Sequence, residues 1–166
     1  ILHDGFDCVI RTGALPEDGV IARPLGKLTM VNCASPHYLT RFGYPQSPDD
    51  LTSHAIVRYT PHLGVHPLGF EVASVNGVQW FKSGGMLTVN SSENYLAAGL
   101  AGLGIIQIPR IAVREALRAG RLIEVLPGYR AEPLSLSLIY PQRRELSRRV
   151  NLFMQWLAGV MKEHLD

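Results

Sequence analysis

Short apolar runs separated by turn residues set the pattern of this chain. FDCVI (6–10), VIARPL (20–25), LTMVNCA (28–34), AIVRY (55–59), MLTVN (86–90), IIQIP (105–109), LIEVL (122–126) and LSLSLIYP (134–141) have strand length and strand-forming residues. FEVAS (70–74) and VQWFK (78–82) flank Asn76-Gly77, which predicts a hairpin closed by Val75 and Val78. Helices are announced between these runs. Ser35-Pro36 places a capping hydroxyl before a proline at the first helical position, and Gly43 ends that helix. Ser47-Pro48-Asp49-Asp50 repeats the device ahead of AIVRY. Ser91-Ser92-Glu93 opens a helix over YLAAGLAGLG that stops near Gly102 or Gly104, and RIAVREALRAG is a second helix stopped by Gly120. Leu146, Val150, Phe153, Met154, Leu157, Val160 and Met161 mark one face of a long last helix, expected to be its core stripe.

Strands alternating with helices predict an α/β sheet with parallel strands, plus an antiparallel hairpin part. With 166 residues, 46% hydrophobic and 18% charged, the chain suits one well-cored domain or two small lobes. No apolar run approaches the roughly 20 residues that cross a bilayer. Sixteen Lys and Arg against fourteen Asp and Glu leave a net charge of +2, too little for a nucleic-acid surface. The arginines of QRRELSRR (142–149) flank a helix start and read as a solvated face. Cys8 and Cys33 sit within apolar runs as reduced, buried thiols, which points to the cytosol. The opening ILHDGFDCVIR carries neither a methionine nor a signal segment and is read as internal to a longer protein.

In α/β sheets, ligands bind beyond the carboxyl ends of strands, where loops lead into helices. Three polar junctions meet that description: Arg11-Thr12-Gly13, Ser35-Pro36 and Asn90-Ser91-Ser92. Two are helix starts, whose unpaired N–H groups and positive dipole end attract a carboxylate or phosphate. A small anion is the expected ligand, although each serine could equally do no more than cap its own helix. Catalysis has less support. Cys33 and His37 are separated by a strand-to-helix junction, no partner is evident to orient the imidazole, and neither a G-x-S-x-G elbow nor a phosphate-cradling loop occurs. His62 and His66 lie four apart among prolines and glycines without a third ligand nearby, so no metal is expected.

Taken together, GFDCVIRTGALP (5–16), IARPLG (21–26), NCASPHYLTRFGYPQSPDDLTSH (32–54), VNSSENYLAAGLAGLGIIQIP (89–109), AGRLIEVLPGY (119–129) and LSLIYPQRRELSRRVNLFMQWL (136–157) resemble, in order and spacing, the effector-binding domain of LysR-type transcriptional regulators. The resemblance implies a type 2 periplasmic-binding-protein-like fold: two Rossmann-like lobes joined by two crossing strands, LTMVNCA and LSLSLIY. Residues 1–30 and 134–166 would form an incomplete lobe I and residues 31–133 lobe II. It implies a small effector, a carboxylate, held between the lobes, with Arg11 and Thr12 at the first-lobe edge, Ser35 and Pro36 at the crossing, Tyr59 and Thr60 after a second-lobe strand, and Asn90 and Ser91 at a helix start. Further implications are a homodimer or homotetramer, no cofactor or metal, no membrane contact, no enzymatic activity, a cytoplasmic location, and DNA contact only through a winged helix-turn-helix N-terminal to this segment. The rivals are a secreted solute-binding protein of the same fold class and, on Cys33 and His37 alone, a small enzyme.

Overall fold

The chain divides into two units: Ile1–Thr29 with Pro133–Asp166, and Met30–Glu132. The computed structural model describes residues 6–13, 19–60, 69–141, 147–162 and 165. The His62 and His66 pair, much of QRRELSRR and Leu146 lie outside them.

In the smaller unit, β1 (Val9–Thr12), β2 (Val20–Leu28) and β10 (Leu134–Pro141) form a sheet of order β1-β10-β2. Both pairings are antiparallel, unlike the parallel sheet expected from strand-helix alternation. The last helix, α4 (Arg148–Met161), is capped by the Ser147 hydroxyl on the Val150 amide and packs on Leu138 through Met154 and Leu157. Val150 and Met161 complete that contact. Phe153 and Val160, expected in the same stripe, are exposed. Positions 150, 154, 157 and 161 form a narrower seam than the sequence face suggested, and 153 and 160 fall beside it.

In the larger unit, β3 (Met30–Ala34) is followed by α1 (Pro36–Phe42), a 3-10 helix (Pro48–Ser53) and β4 (Ala55–Tyr59). The expected run LTMVNCA is therefore divided at Thr29, Leu28 closing β2 and Met30 opening β3. Next come the hairpin β5 (Phe70–Ser74) and β6 (Gly77–Phe81), β7 (Gly84–Val89), α2 (Ser92–Leu100), β8 (Ile106–Pro109), α3 (Arg110–Arg118) and β9 (Ile123–Glu124). The hairpin turns on Val75 and Asn76, because Gly77, at φ 105°, already pairs with Ser74. A positive φ just after the turn suits glycine, so the Asn-Gly signal marks the turn one residue late. LIEVL yields only a two-residue strand, since the chain swings out at Leu126, φ 48°.

β4 and β7 run parallel, and the bridge Ile56 to Ile105 joins β4 in parallel to the stretch that continues as β8. β3 lies between β8 and β9, antiparallel to both. Alternation along these strands feeds a core on each face. Val31, Cys33, Val57, Ile106 and Ile108 meet Tyr95 and Ala98 of α2 and Val113 and Ala116 of α3. Ala34, Ile56 and Ile105 meet Tyr38 and Leu39 of α1, Leu51, and Phe70 and Val72 of the hairpin. Each fully buried side chain such as Ile106 or Phe70 contributes about 1.5–3 kcal/mol. Among the described residues no helix is long and apolar enough to cross a membrane.

Candidate functional site

The parallel strands β4 and β7 end side by side, Tyr59 opposite Val89. The Thr60 amide donates to the Val89 carbonyl at 2.9 Å, which holds Thr60 against the start of Asn90-Ser91. Thr60 is buried, while Asn90 and Tyr59 are exposed and Ser91 is half-buried. The Tyr59 ring lies 5.7 Å, centroid to centroid, from that of Tyr95, one turn into α2. Burial pushes the Tyr95 phenol well above its usual value, so it stays protonated and donor-capable. Its hydroxyl also accepts the Gln107 amide at 2.9 Å, filling the place that β4 leaves open once its pairing with the β8 stretch has ended.

Ser91 caps α2, accepting from the Asn94 amide at 3.4 Å and donating to the Glu93 carboxylate at 2.6 Å. That hydroxyl holds the Glu93 carboxyl below the usual carboxylate range. The terminus of α2 thus carries an anion of its own. The terminus of α3 differs: Pro109 offers no side-chain cap and the first turn holds no acidic residue.

Ser35 and Pro36 do not join this group. β3 runs against β4, β7 and β8, so Ala34 leads out at the edge where those strands begin, and Ser35 meets the approach to Gly102 there. The expectation that three strand-end junctions converge is corrected for this pair by the antiparallel direction of β3. Ser35 is 3% exposed, and its hydroxyl accepts the Tyr38 amide at 3.2 Å. That contact is a helix cap with proline at the first position. Arg11 and Thr12 close β1 in the other unit, both exposed, opposite Ser137 and Leu136. A hollow of about 500 Å³ in that unit is lined by Asp7, Cys8, Ser147, Arg149, Val150 and Phe153, without either residue.

Cys33 is fully buried and its thiol is pushed up to about 12, first by burial and then by the Glu124 charge; His37 is exposed in the first turn of α1. A thiol in that state is no nucleophile.

Sequence reasoning missed a pair of side-chain amides, buried Asn32 and half-buried Gln107. Asn32 and Gln107 lie opposite each other on β3 and β8, joined side chain to side chain at 3.0 Å. The only sequence signal was a polar residue within each of two apolar runs.

The family described as LysR substrate binding domain matches residues 1–162. The chain is 98% identical, over its full length, to 56% of an uncharacterized HTH-type transcriptional regulator of Escherichia coli, YhjC. It is 31% identical over 98% of its length to 52% of the HTH-type transcriptional activator AaeR, also of Escherichia coli. It spans about half the length of these curated relatives. Among solved structures, the regulatory domain of CrgA from Neisseria meningitidis superposes with a TM-score of 0.82 at 24% identity, over 96% of this chain and 77% of that one, and so shares the fold. The type 2 periplasmic-binding-like fold and the match along nearly the whole chain lead to one conclusion: this chain belongs to the LysR substrate binding domain family, the effector-binding part of LysR-type transcriptional regulators.

Proposed function

We propose that this domain binds a small anionic effector at the carboxyl edge of β4 and β7, with Tyr59, Thr60, Asn90 and Ser91 as the contacting residues. The observation that carries the reading is the Thr60 to Val89 bond, which sets a buried threonine beside a helix start and an exposed aromatic face. Backbone N–H groups at the start of α2 supply the attraction for a carboxylate, and the Tyr59 ring supplies an apolar wall. Glu93 opposes an anion there, so a bound carboxylate takes over the Ser91 hydroxyl from it. Arg11 and Thr12, in the other unit, are left out of this reading.

In the intact protein the domain is proposed to act without catalysis, in the cytoplasm, as part of a homodimer or homotetramer whose DNA contacts come from a separate helix-turn-helix. The names of the relatives support this reading over that of a secreted solute-binding protein. Effector and DNA binding are linked only by the ligand's differential affinity for two arrangements of the protein. The test is a thermal-shift screen of small carboxylates on the full-length protein, followed by calorimetry on Thr60→Val and Asn90→Ala. A hit whose affinity falls in both variants, with folding intact, is the expected result; unchanged affinity in both would reject this edge as the site.

A further inference from the structure

Asn32 is fully buried and uses its side-chain amide completely. Nδ2 donates to the Leu126 carbonyl at 3.1 Å and to the Tyr129 carbonyl at 2.8 Å, while Oδ1 accepts from Gln107 Nε2 at 3.0 Å. Its backbone carbonyl accepts the Val125 amide at 2.9 Å. Four bonds from one residue therefore converge on Gln107 and on the segment 125–129.

That segment is the passage by which the chain leaves the larger unit at Glu132. It has little regular structure of its own, β9 ending at Glu124. Leu126 is the single non-glycine residue with positive φ among the described residues, at 48°. A branched side chain in the left-handed region is strained and persists only where its surroundings hold it. Here the Leu126 carbonyl is held by Asn32, and the Leu126 side chain is buried with Val125 in the second core. Further along, Arg130 accepts the Ala73 amide at 2.8 Å, and the Glu132 amide donates to Glu71 Oε1 at 3.0 Å.

Gln107 extends the network in the opposite direction. Its side chain exchanges two bonds with the backbone of Glu71, at 3.0 and 2.7 Å, and its backbone N–H donates to the Tyr95 hydroxyl at 2.9 Å. The Tyr95 ring meets that of Tyr59 at a tilt of 49°. An unbroken series of contacts thus runs from Tyr59 through Tyr95, Gln107 and Asn32 to Leu126 and Tyr129. Every link belongs to the larger unit.

We propose that Asn32 and Gln107 are positioning residues that clasp the exit passage, residues 125–132, to the Tyr95 wall of the candidate edge, so that the state of that wall and the conformation of the passage are coupled. The coupling rests on the reading of the edge as the effector site; the clasp itself does not. A ligand that shifts Tyr59 and Tyr95 would alter the hold on the segment that carries the chain out of the unit, one of the two covalent passages between the units. Losing one partner of a polar network of this kind leaves desolvated carbonyls unpaired, which costs more than the net worth of the bond itself.

The test is residue-resolved amide hydrogen exchange on the full-length protein without ligand. Asn32→Leu keeps the volume and removes the donors. It is expected to speed exchange at Tyr129 and Ala73 roughly tenfold, the factor matching the net worth of one hydrogen bond, with the β3 and β8 amides unchanged. Unchanged exchange at Tyr129 and Ala73, or equal acceleration throughout the unit, would overturn the clasp. Tyr95→Phe, a milder variant that cuts the network at one hydroxyl and serves if Asn32→Leu does not fold, is expected to speed Tyr129 exchange by a smaller factor; no change there would overturn the coupling. A carboxylate screen without hits would reject the effector site alone, because neither exchange measurement involves a ligand.

Discussion

The Tyr38 hydroxyl lies 3.1 Å from Nδ1 of His54, in the core where α1 meets the start of β4. The Ala55 amide donates to the same hydroxyl at 2.9 Å, and the hydroxyl lies within donor reach of the Ala55 carbonyl at 3.4 Å as well as of the imidazole. Burial lowers the His54 pKa from 6.5, and the nearby Asp50 charge only partly offsets that.

A lowered histidine pKa means that the fold prefers the neutral ring. The contribution is complete above the unfolded value near 6.5 and is lost as pH falls through it towards the lower folded value. Thermal melts at pH 7.5 and 5.5 are expected to show a loss of Tm in the wild type that is smaller in His54→Gln. An equal loss in both proteins would assign the acid sensitivity elsewhere. Asp50, held below the usual carboxylate range by the Gln46 and Ser47 amides, titrates below this window.

Ser35→Ala removes the cap on α1. The expected cost is about 1 kcal/mol of stability, read from urea unfolding. Calorimetry on any ligand found for the β4 and β7 edge should show no change, since Ser35 leaves the sheet at the opposite edge. A clear loss of affinity in a well-folded variant would return Ser35 to the site.

Glu93→Gln removes the carboxylate that occupies Ser91 at the start of α2. A carboxylate ligand should then bind a few-fold more tightly, and more so at low salt, because an exposed charge of the same sign is gone. Weaker binding would mean that Glu93 contacts the ligand directly.

Gly104 carries φ 158°, and a Cβ there would stand 2.6 Å from the Ala55 carbonyl oxygen. Backbone cannot retreat as a side-chain tip can. Gly104→Ala is expected to cost roughly 2 kcal/mol or more by parting β4 from the strand that continues as β8. A variant with an unchanged urea midpoint would show that the bridge Ile56 to Ile105 tolerates the shift.

Cys33 should resist alkylation in the folded protein and react only on unfolding, given full burial and a thiol pKa of about 12. Fast modification of the native state would reopen the enzyme reading. The slightly exposed Cys8 is the internal control, and it should react first.

Much of this architecture is written in local residue chemistry. AIVRY, FEVAS and LSLSLIYP are strands over the predicted residues, and Ser35, Ser91 and Gly43 cap as their types require. These features depend on backbone geometry and neighbours within a few positions, which a sequence displays directly. The pairing of Thr60 with Asn90-Ser91 was half legible, because both junctions follow apolar runs but only the parallel register of β4 and β7 sets them side by side.

Strand direction was not legible. Nothing in MVNCA says that it runs against its neighbours, yet that direction sends Ser35 and Pro36 to one edge and Thr60 and Ser91 to the other. Nor do Asn32 and Gln107, 75 residues apart, announce their bond; a polar residue in an apolar run costs stability until a partner is found, and the partner comes from another strand. Phe153 and Val160 satisfy the helical period as well as Met154 and Leu157 do, but only the sheet beneath α4 selects which of them it covers. Local pattern therefore settles which segments are strands and helices, while some of their ends, such as the break at Thr29 and the two-residue β9, were set by the fold. Direction, register and the pairing of distant polar groups are long-range choices, made by the whole set of buried surfaces at once.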